Sequence, residues 1–338
     1  MTVSTLAAEP TAGAGRPPRR LSSRRSGSDL AFRGVTTTVG ISVLLITGSI
    51  GLFLGLQAVP TLSHYGFSFF TTSSWQPELN QIGIAAVLVG TVEIALVAVA
   101  VSVPLAMGFA LFITEYAPRR LRSSMVSAID LMAAVPSIIY GLWGFFLLQP
   151  HAIGLARWLS QHFGWIPIFK VSTDPNAAVW QQSKYTSSVF IAGLAVSMMV
   201  IPLACAVMRA VFDQAPRGER EAALALSGTR LGVIRMVVLP FGRGGIIGGS
   251  MLGLGRALGE TAAVLLIISP AYVIKLRILE AGTQTVSALI AGNFGNATKS
   301  QLSALLTAGF VLFGITLVVN LVAAVIIRRS RSGAGIDA

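Results

Sequence analysis

Charge is scarce in this sequence. Only 11% of its 338 residues are Asp, Glu, Lys or Arg, against roughly 25% in ordinary soluble domains. The shortage is uneven, with long charge-poor blocks separated by short basic segments. That distribution excludes the two soluble domains that the length would otherwise permit. Cysteine is reduced to Cys205, so no internal disulfide is possible and the residue reads as a small apolar packer. Histidine occurs only at His64, His151 and His162, none at metal-ligand spacing from cysteine or another histidine. No serine sits in a recognisable nucleophile elbow. No GxxxxGK[ST] is present, so any ATP chemistry belongs to another chain. Neither enzymatic activity, nor a cofactor, nor a bound metal is expected.

What the sequence has instead is hydrophobic length: 54% of residues are apolar. Several blocks exceed the roughly 20 residues that cross a bilayer as a helix. The expected fold is all-α and polytopic, with six spans at Val35–Pro60, Ile84–Thr114, Ser124–Leu148, Ser187–Met208, Gly244–Val273 and Leu305–Ile327. With the N-terminus in the cytoplasm, 18 of the 25 basic residues fall inside, six outside, and one, Arg256, within the membrane. The net charge of +12 therefore reports orientation rather than a nucleic-acid-binding face.

The domain reading follows. Residues 1–34, rich in Arg, Ser, Gly and Pro, form a disordered basic cytoplasmic tail. Residues 35–327 are the membrane domain, with a cytoplasmic loop at 209–243, and residues 328–338 are a second cytoplasmic tail. The first apolar run is too long for a signal-peptide core and is expected to be a retained helix. Loops at Ser63–Gly83, His151–Thr186 and Lys275–Ser303 face outside, the first with aromatic residues placed for the membrane interface.

Two segments carry more than hydrophobicity. In the fifth span, Gly245, Gly249 and Gly253 recur every four residues, the spacing that lets helix backbones approach closely in lipid. This predicts a tight helix–helix seam, within one subunit or between two. The inside loop "QAPRGEREAALALSGTRLGVIRMVVLPFGRGG" predicts a short helix with Pro216 near its start and Glu219 and Glu221 towards its N-terminal end. Ala222, Ala223 and Leu226 form its apolar face, suited to a groove on another protein. Ser227-Gly228-Thr229 supplies a turn, and Leu239-Pro240 ends the unit before the fifth span.

Glu221-Ala222-Ala223, the glycine turn and Leu239-Pro240 resemble the EAA loop of ABC importer permeases. One departure is that Ser227 stands where the glycine is usual and Gly228 follows, which shifts the helix end. "EYAPRRLRSSMVSAIDLMAAVPSIIYGLWGFF" and "MVVLPFGRGGIIGGSMLGLGRALGETAAV" narrow the resemblance to the PstC family of phosphate importer permeases. The resemblance covers most of the chain from about Gly83. It implies a heterodimer with a PstA-like permease subunit, a PstB-like ATPase dimer underneath and a PstS-like phosphate-binding protein outside. It also implies a bacterial plasma (inner) membrane location with both termini cytoplasmic. Glu221, Ala222, Ala223, Gly228, Leu239 and Pro240 are then the ATPase-coupling positions.

Arg256 and Glu260 lie four apart in the fifth span, expected on one helical face. An intramembrane arginine usually faces protein or water, and a guanidinium suits a phosphate oxyanion. One reading makes Arg256 a phosphate contact in transit, with Glu260 orienting it and limiting the grip. The other makes the two an ion pair that locks spans together. Asp130 and Glu93 read as structural, and Pro104 and Pro136 as kinks. Two alternatives in function stand beside phosphate import: an ABC permease for sulfate or molybdate, and a stand-alone secondary transporter relaying protons through Glu260, Asp130 and Glu93.

Overall fold

A computed structural model describes residues 27–171 and 182–331. The expected N-terminal tail as far as residue 26, the 172–181 part of the second outside loop, and residues 332–338 lie outside the described residues. Six helices are long and apolar enough to cross a membrane. These are α1 (Gly27–Tyr65), α2 (Ala85–Tyr116), α4 (Ser137–Phe163), α5 (Val189–Phe212), α7 (Arg230–Leu258) and the last, α10 (Lys299–Arg331). Between them lie α3 (Arg119–Ala134), α6 (Arg217–Ser227), α8 (Ala262–Ile267) and α9 (Val286–Asn293). The stretch 27–34 assigned to the tail is already helical.

Residues up to Ile50 and residues from Gly51 are separate compact units. In the first, the described residues 27–50 are helical. The second is organised around α5, whose Ile191, Ala195, Val200, Ala204, Met208 and Phe212 have no exposed surface. α2 packs along one side of α5 and α7 along another. The seam between α5 and α2 is close because Gly193 meets Val97 and the carbonyl of Ile94. Cys205 is wholly buried here, as a small apolar packer should be. A smaller core gathers Phe69, Trp75, Ile82, Val87, Leu289 and Leu305. Trp75 and Ile82 are paired across a two-residue antiparallel hairpin. Phe69 and Trp75 are therefore buried in protein rather than resting at the membrane interface, and Phe67 remains exposed.

Proline sets two boundaries differently from the hydropathy pattern. The third span was expected at Ser124–Leu148, but Val135, forced to an extended conformation before Pro136, ends α3. The span is instead Ser137–Phe163, which takes in the start of the expected His151–Thr186 loop. Asp130 consequently lies on α3, outside any span and exposed. Pro136 thus breaks a helix, whereas Pro104 lies within an uninterrupted stretch of α2.

Three π-helical turns, Phe112–Tyr116, Gly144–Leu148 and Ile234–Val238, each precede a proline by two residues. Proline lacks an N–H and its ring strikes the carbonyl four residues back; the wider turn relieves both problems. The first turn ends α2 at Pro118, and the other two let the helix run on through Pro150 and Pro240. Leu239-Pro240 therefore does not end the loop unit: α7 continues through it to Leu258.

Gly228 terminates α6 in the left-handed region, φ +64°, with its N–H on the Leu224 carbonyl at 2.8 Å. The displaced glycine keeps its capping role, and Ser227 becomes the last helical residue. A β-branched residue in that conformation costs roughly 1–2 kcal/mol, and asparagine less. Gly228→Val is therefore expected to lower the unfolding midpoint of the purified chain in detergent, with Gly228→Asn falling between it and the parent. Equal midpoints for all three would remove the left-handed cap as the reason for glycine.

Candidate functional site

The glycine run of the fifth span faces α5 of the same chain. A Cβ on Gly245 would lie 2.6 Å from Val211, one on Gly249 3.0 Å from the carbonyl oxygen of Ala204, and one on Gly253 2.5 Å from Val200. All three glycines are buried. Gly248 and Gly255 look the other way, towards Ile327 and Asn320 of α10. α7 is thus held between two neighbours by residues without side chains.

This seam fixes the end of α7, where the structure departs from the expected span. The helix does not run to Val273; it stops at Leu258, and Gly259, Glu260 and Thr261 form a break before α8. Arg256 is in the last turn of α7, exposed on this chain, while Glu260 is beyond the helix and only 7% exposed. The two are not one turn apart on a common helical face, and no ion pair joins them among the described residues. Glu260 Oε1 accepts the N–H of Ala263 at 3.1 Å, holding the start of α8, and its carbonyl accepts from Ser287 Oγ at 3.2 Å. A helix break in the bilayer needs partners for its freed backbone groups, and Glu260 meets part of that need. Thirteen residues separate Arg256 from Arg243, about 20 Å of helix. The guanidinium is within electrostatic reach of the Tyr140 hydroxyl, which itself donates to the Met132 carbonyl at 2.7 Å.

Glu260 abuts a polar layer that the sequence reading missed. Thr91 Oγ1 accepts from the Val286 N–H at 3.0 Å, and Thr285 caps α9 by accepting from Ala288 N at 3.2 Å. Gln284, Thr285 and Ser287 are all buried. Gly90 gives the segment before α9 its place: a Cβ there would strike the backbone of Gln284. One signal was available, since Thr285 directly before the apolar run "VSALIAG" is a helix N-cap pattern. Glu93, one turn from Gly90 on α2, is partly buried.

At the end of the spans that carries the basic segments, α6 packs beside the start of α7. Ala223 is buried, while Glu221, Ala222, Leu224 and Leu226 are exposed. The expected Ala222–Ala223–Leu226 face is therefore split: Ala223 anchors the helix inward, and Ala222 and Leu226 look outward. Arg220 donates to Glu115 Oε1 at 2.7 Å, and Arg230 donates to the Glu115 carbonyl at 2.8 Å. Thr229 Oγ1 accepts from Gly232 N at 3.1 Å and starts α7. Leu239 and Pro240 lie within α7, Leu239 partly buried and Pro240 exposed. Among the described residues no cluster of His, Cys, Asp or Glu is arranged to hold a metal.

Residues 102–332 match the family described as binding-protein-dependent transport system inner membrane component. The chain is 38% identical to the phosphate transport system permease protein PstC of Xylella fastidiosa (strain 9a5c), over 90% of this chain and 92% of that protein. It is 39% identical to the phosphate transport system permease protein PstC 2 of Mycobacterium tuberculosis (strain ATCC 25618 / H37Rv), covering 86% and 88%. It is 35% identical to the probable PstC of Methanocaldococcus jannaschii, covering 87% and 90%. In fold it is similar to a chain of a bacterial alginate ABC transporter solved with an alginate-bound periplasmic protein, with a TM-score of 0.55 at 17% identity over 89% of this chain and 95% of that one. The chain belongs to the binding-protein-dependent transport system inner membrane components and, within them, to the PstC family of phosphate transport permeases.

Proposed function

We propose that this chain is the channel-forming membrane subunit of an ATP-driven phosphate importer, receiving phosphate from an external PstS-like binding protein. A PstA-like subunit completes the channel, and a PstB-like ATPase dimer docks on α6. The chain sits in the bacterial plasma membrane with both termini cytoplasmic, consistent with the basic residues concentrated at the α6 end.

The observation that carries this reading is the outward half of α6. Leu226 is 80% exposed and Leu224 46% exposed, beside Ala222, on a helix anchored to the bundle through Ala223 and Arg220. An anchored helix presenting small and branched apolar side chains to water fits insertion into a groove of a soluble partner. Arg256 supports the channel assignment. Its exposed position on a span would cost about 2.5–3.5 kcal/mol against lipid, so the face that bears it belongs against a second subunit or an aqueous path.

Leu226→Glu tests the docking half directly. The substitution lies on the exposed side and leaves the packed side untouched, so the chain should purify as before. ATPase recovered with it is expected to fall at least about tenfold, the effect of losing a central apolar anchor. Undiminished co-purification of the ATPase with Leu226→Glu, and with Leu224→Glu alongside, would remove α6 as the docking helix.

A further inference from the structure

One carboxylate ties α6 to the membrane spans. Glu115 belongs to the π turn that ends α2, and only 10% of its side chain is exposed. Arg220 of α6 reaches it with Nη1 at 2.7 Å and donates from Nη2 to the carbonyl of Phe212, the last residue of α5. The backbone carbonyl of the same Glu115 accepts from Arg230, the first residue of α7, at 2.8 Å, and that guanidinium stands 5.8 Å over the ring of Tyr116. Four elements therefore meet at one residue: α2 through its backbone, α6 through Arg220, α5 through Arg220's second nitrogen, and α7 through Arg230.

The rest of α6's attachment differs in kind. Ala223 offers only a methyl contact, over which a helix can slide, whereas a guanidinium that gives one nitrogen to the Glu115 carboxylate and the other to the Phe212 carbonyl fixes both distance and orientation. The cap of α6 lies within its own turn, at Ser227 and Gly228, so the helix has no need of Glu115 in order to form. A second ion pair at this end, Arg122 with Asp213, links α3 to the end of α5 without touching α6.

We propose that Glu115 is a positioning residue for energy coupling, the point at which displacement of α6 is passed to α2, α5 and α7. This rests on α6 being the ATPase-coupling helix. Removing the charge uncouples the motor from the channel without releasing the motor.

The test uses the assembled importer in proteoliposomes and reads phosphate taken up per ATP hydrolysed. Glu115→Gln is expected to keep its ATPase, and the half-saturating concentration of binding protein, while the ratio falls about tenfold, the scale of one lost charged contact. Glu115→Asp, which keeps the charge, is expected to recover most of the ratio. Asp213→Asn, at the neighbouring pair, is expected to leave it unchanged. An unchanged ratio in Glu115→Gln, or loss of the ATPase from that variant, would overturn the assignment. If the unmodified complex itself shows no ATP-dependent uptake, the coupling-helix reading falls instead, and the two failures are told apart by that control.

Discussion

Gly249→Leu is expected to prevent this chain from folding into its membrane bundle. The first added atom already lies 3.0 Å from the carbonyl oxygen of Ala204 and 3.2 Å from Met208 Cγ. The carbonyl is part of a buried helix and cannot rotate aside, and Ala204 and Met208 have no exposed surface into which to yield. The remaining three carbons of leucine must then push α7 off α5. Overpacking of a close-packed interior costs about 1–3 kcal/mol for modest insertions, and a leucine wedged between two helices belongs at or above the top of that range. Helix association in lipid depends on close packing rather than on exclusion of water, so no hydrophobic gain offsets the lost contact. Gly248→Ala is the contrasting case, because its Cβ would meet Ile327 Cδ1 at an ordinary 3.5 Å. The check is the yield of monodisperse protein in detergent and its unfolding midpoint. Gly249→Leu should give little or none, and Gly248→Ala should match the parent. Equal yields would mean that the glycine seam is not what holds α7 to α5.

Arg256→Gln carries the second large effect, on transport rather than folding. The guanidinium makes no ion pair with Glu260 and is exposed on this chain, so its removal breaks no internal lock among the described residues. If it meets phosphate on the way through, the loss is that of a charge-assisted contact to an anion, about 1.5–3 kcal/mol, or about 10- to 100-fold in uptake. Assembly with the ATPase should be unaffected. Arg256→Lys should fall between, because an ammonium keeps the charge but not the fork of donors. Glu260→Gln should leave folding intact, since an amide oxygen still accepts from Ala263 N. Normal uptake by Arg256→Gln, or failure of that variant to assemble, would return Arg256 to a purely structural role.

The limits of the sequence reading are physical, and they fall where the chain uses proline, glycine or distant partners. Hydropathy found six membrane-crossing helices because the cost of burying charge in lipid is large and local. It misplaced the third span because the second half of α3 runs into the span after it with only Asp130 charged between Ser124 and Leu148, and the constraint of Pro136 on Val135 is what separates them. It overran the fifth because Gly259–Thr261 interrupts an apolar stretch whose backbone needs are met in part by Glu260, an arrangement that leaves hydropathy unchanged. The Arg256–Glu260 pair looked helical for the same reason. α6 was legible from Pro216, the acidic first turn and Gly228, but which of its alanines faces inward depends on Arg220 finding Glu115, 105 positions earlier. No local pattern reports a contact of that separation. The buried Thr91–Thr285–Ser287 layer was hidden likewise, apart from the cap at Thr285.

The account rests on phosphate entering by way of this subunit at the expense of ATP hydrolysed on a neighbour. The most direct measurement is labelled-phosphate uptake into proteoliposomes holding the full complex, with binding protein outside, and with sulfate or arsenate as competitor. The expected result is uptake that requires ATP and the ATPase, is slowed by arsenate and not by sulfate, and is indifferent to a proton gradient. Uptake that a proton gradient drives without ATP, or that sulfate alone inhibits, would contradict it.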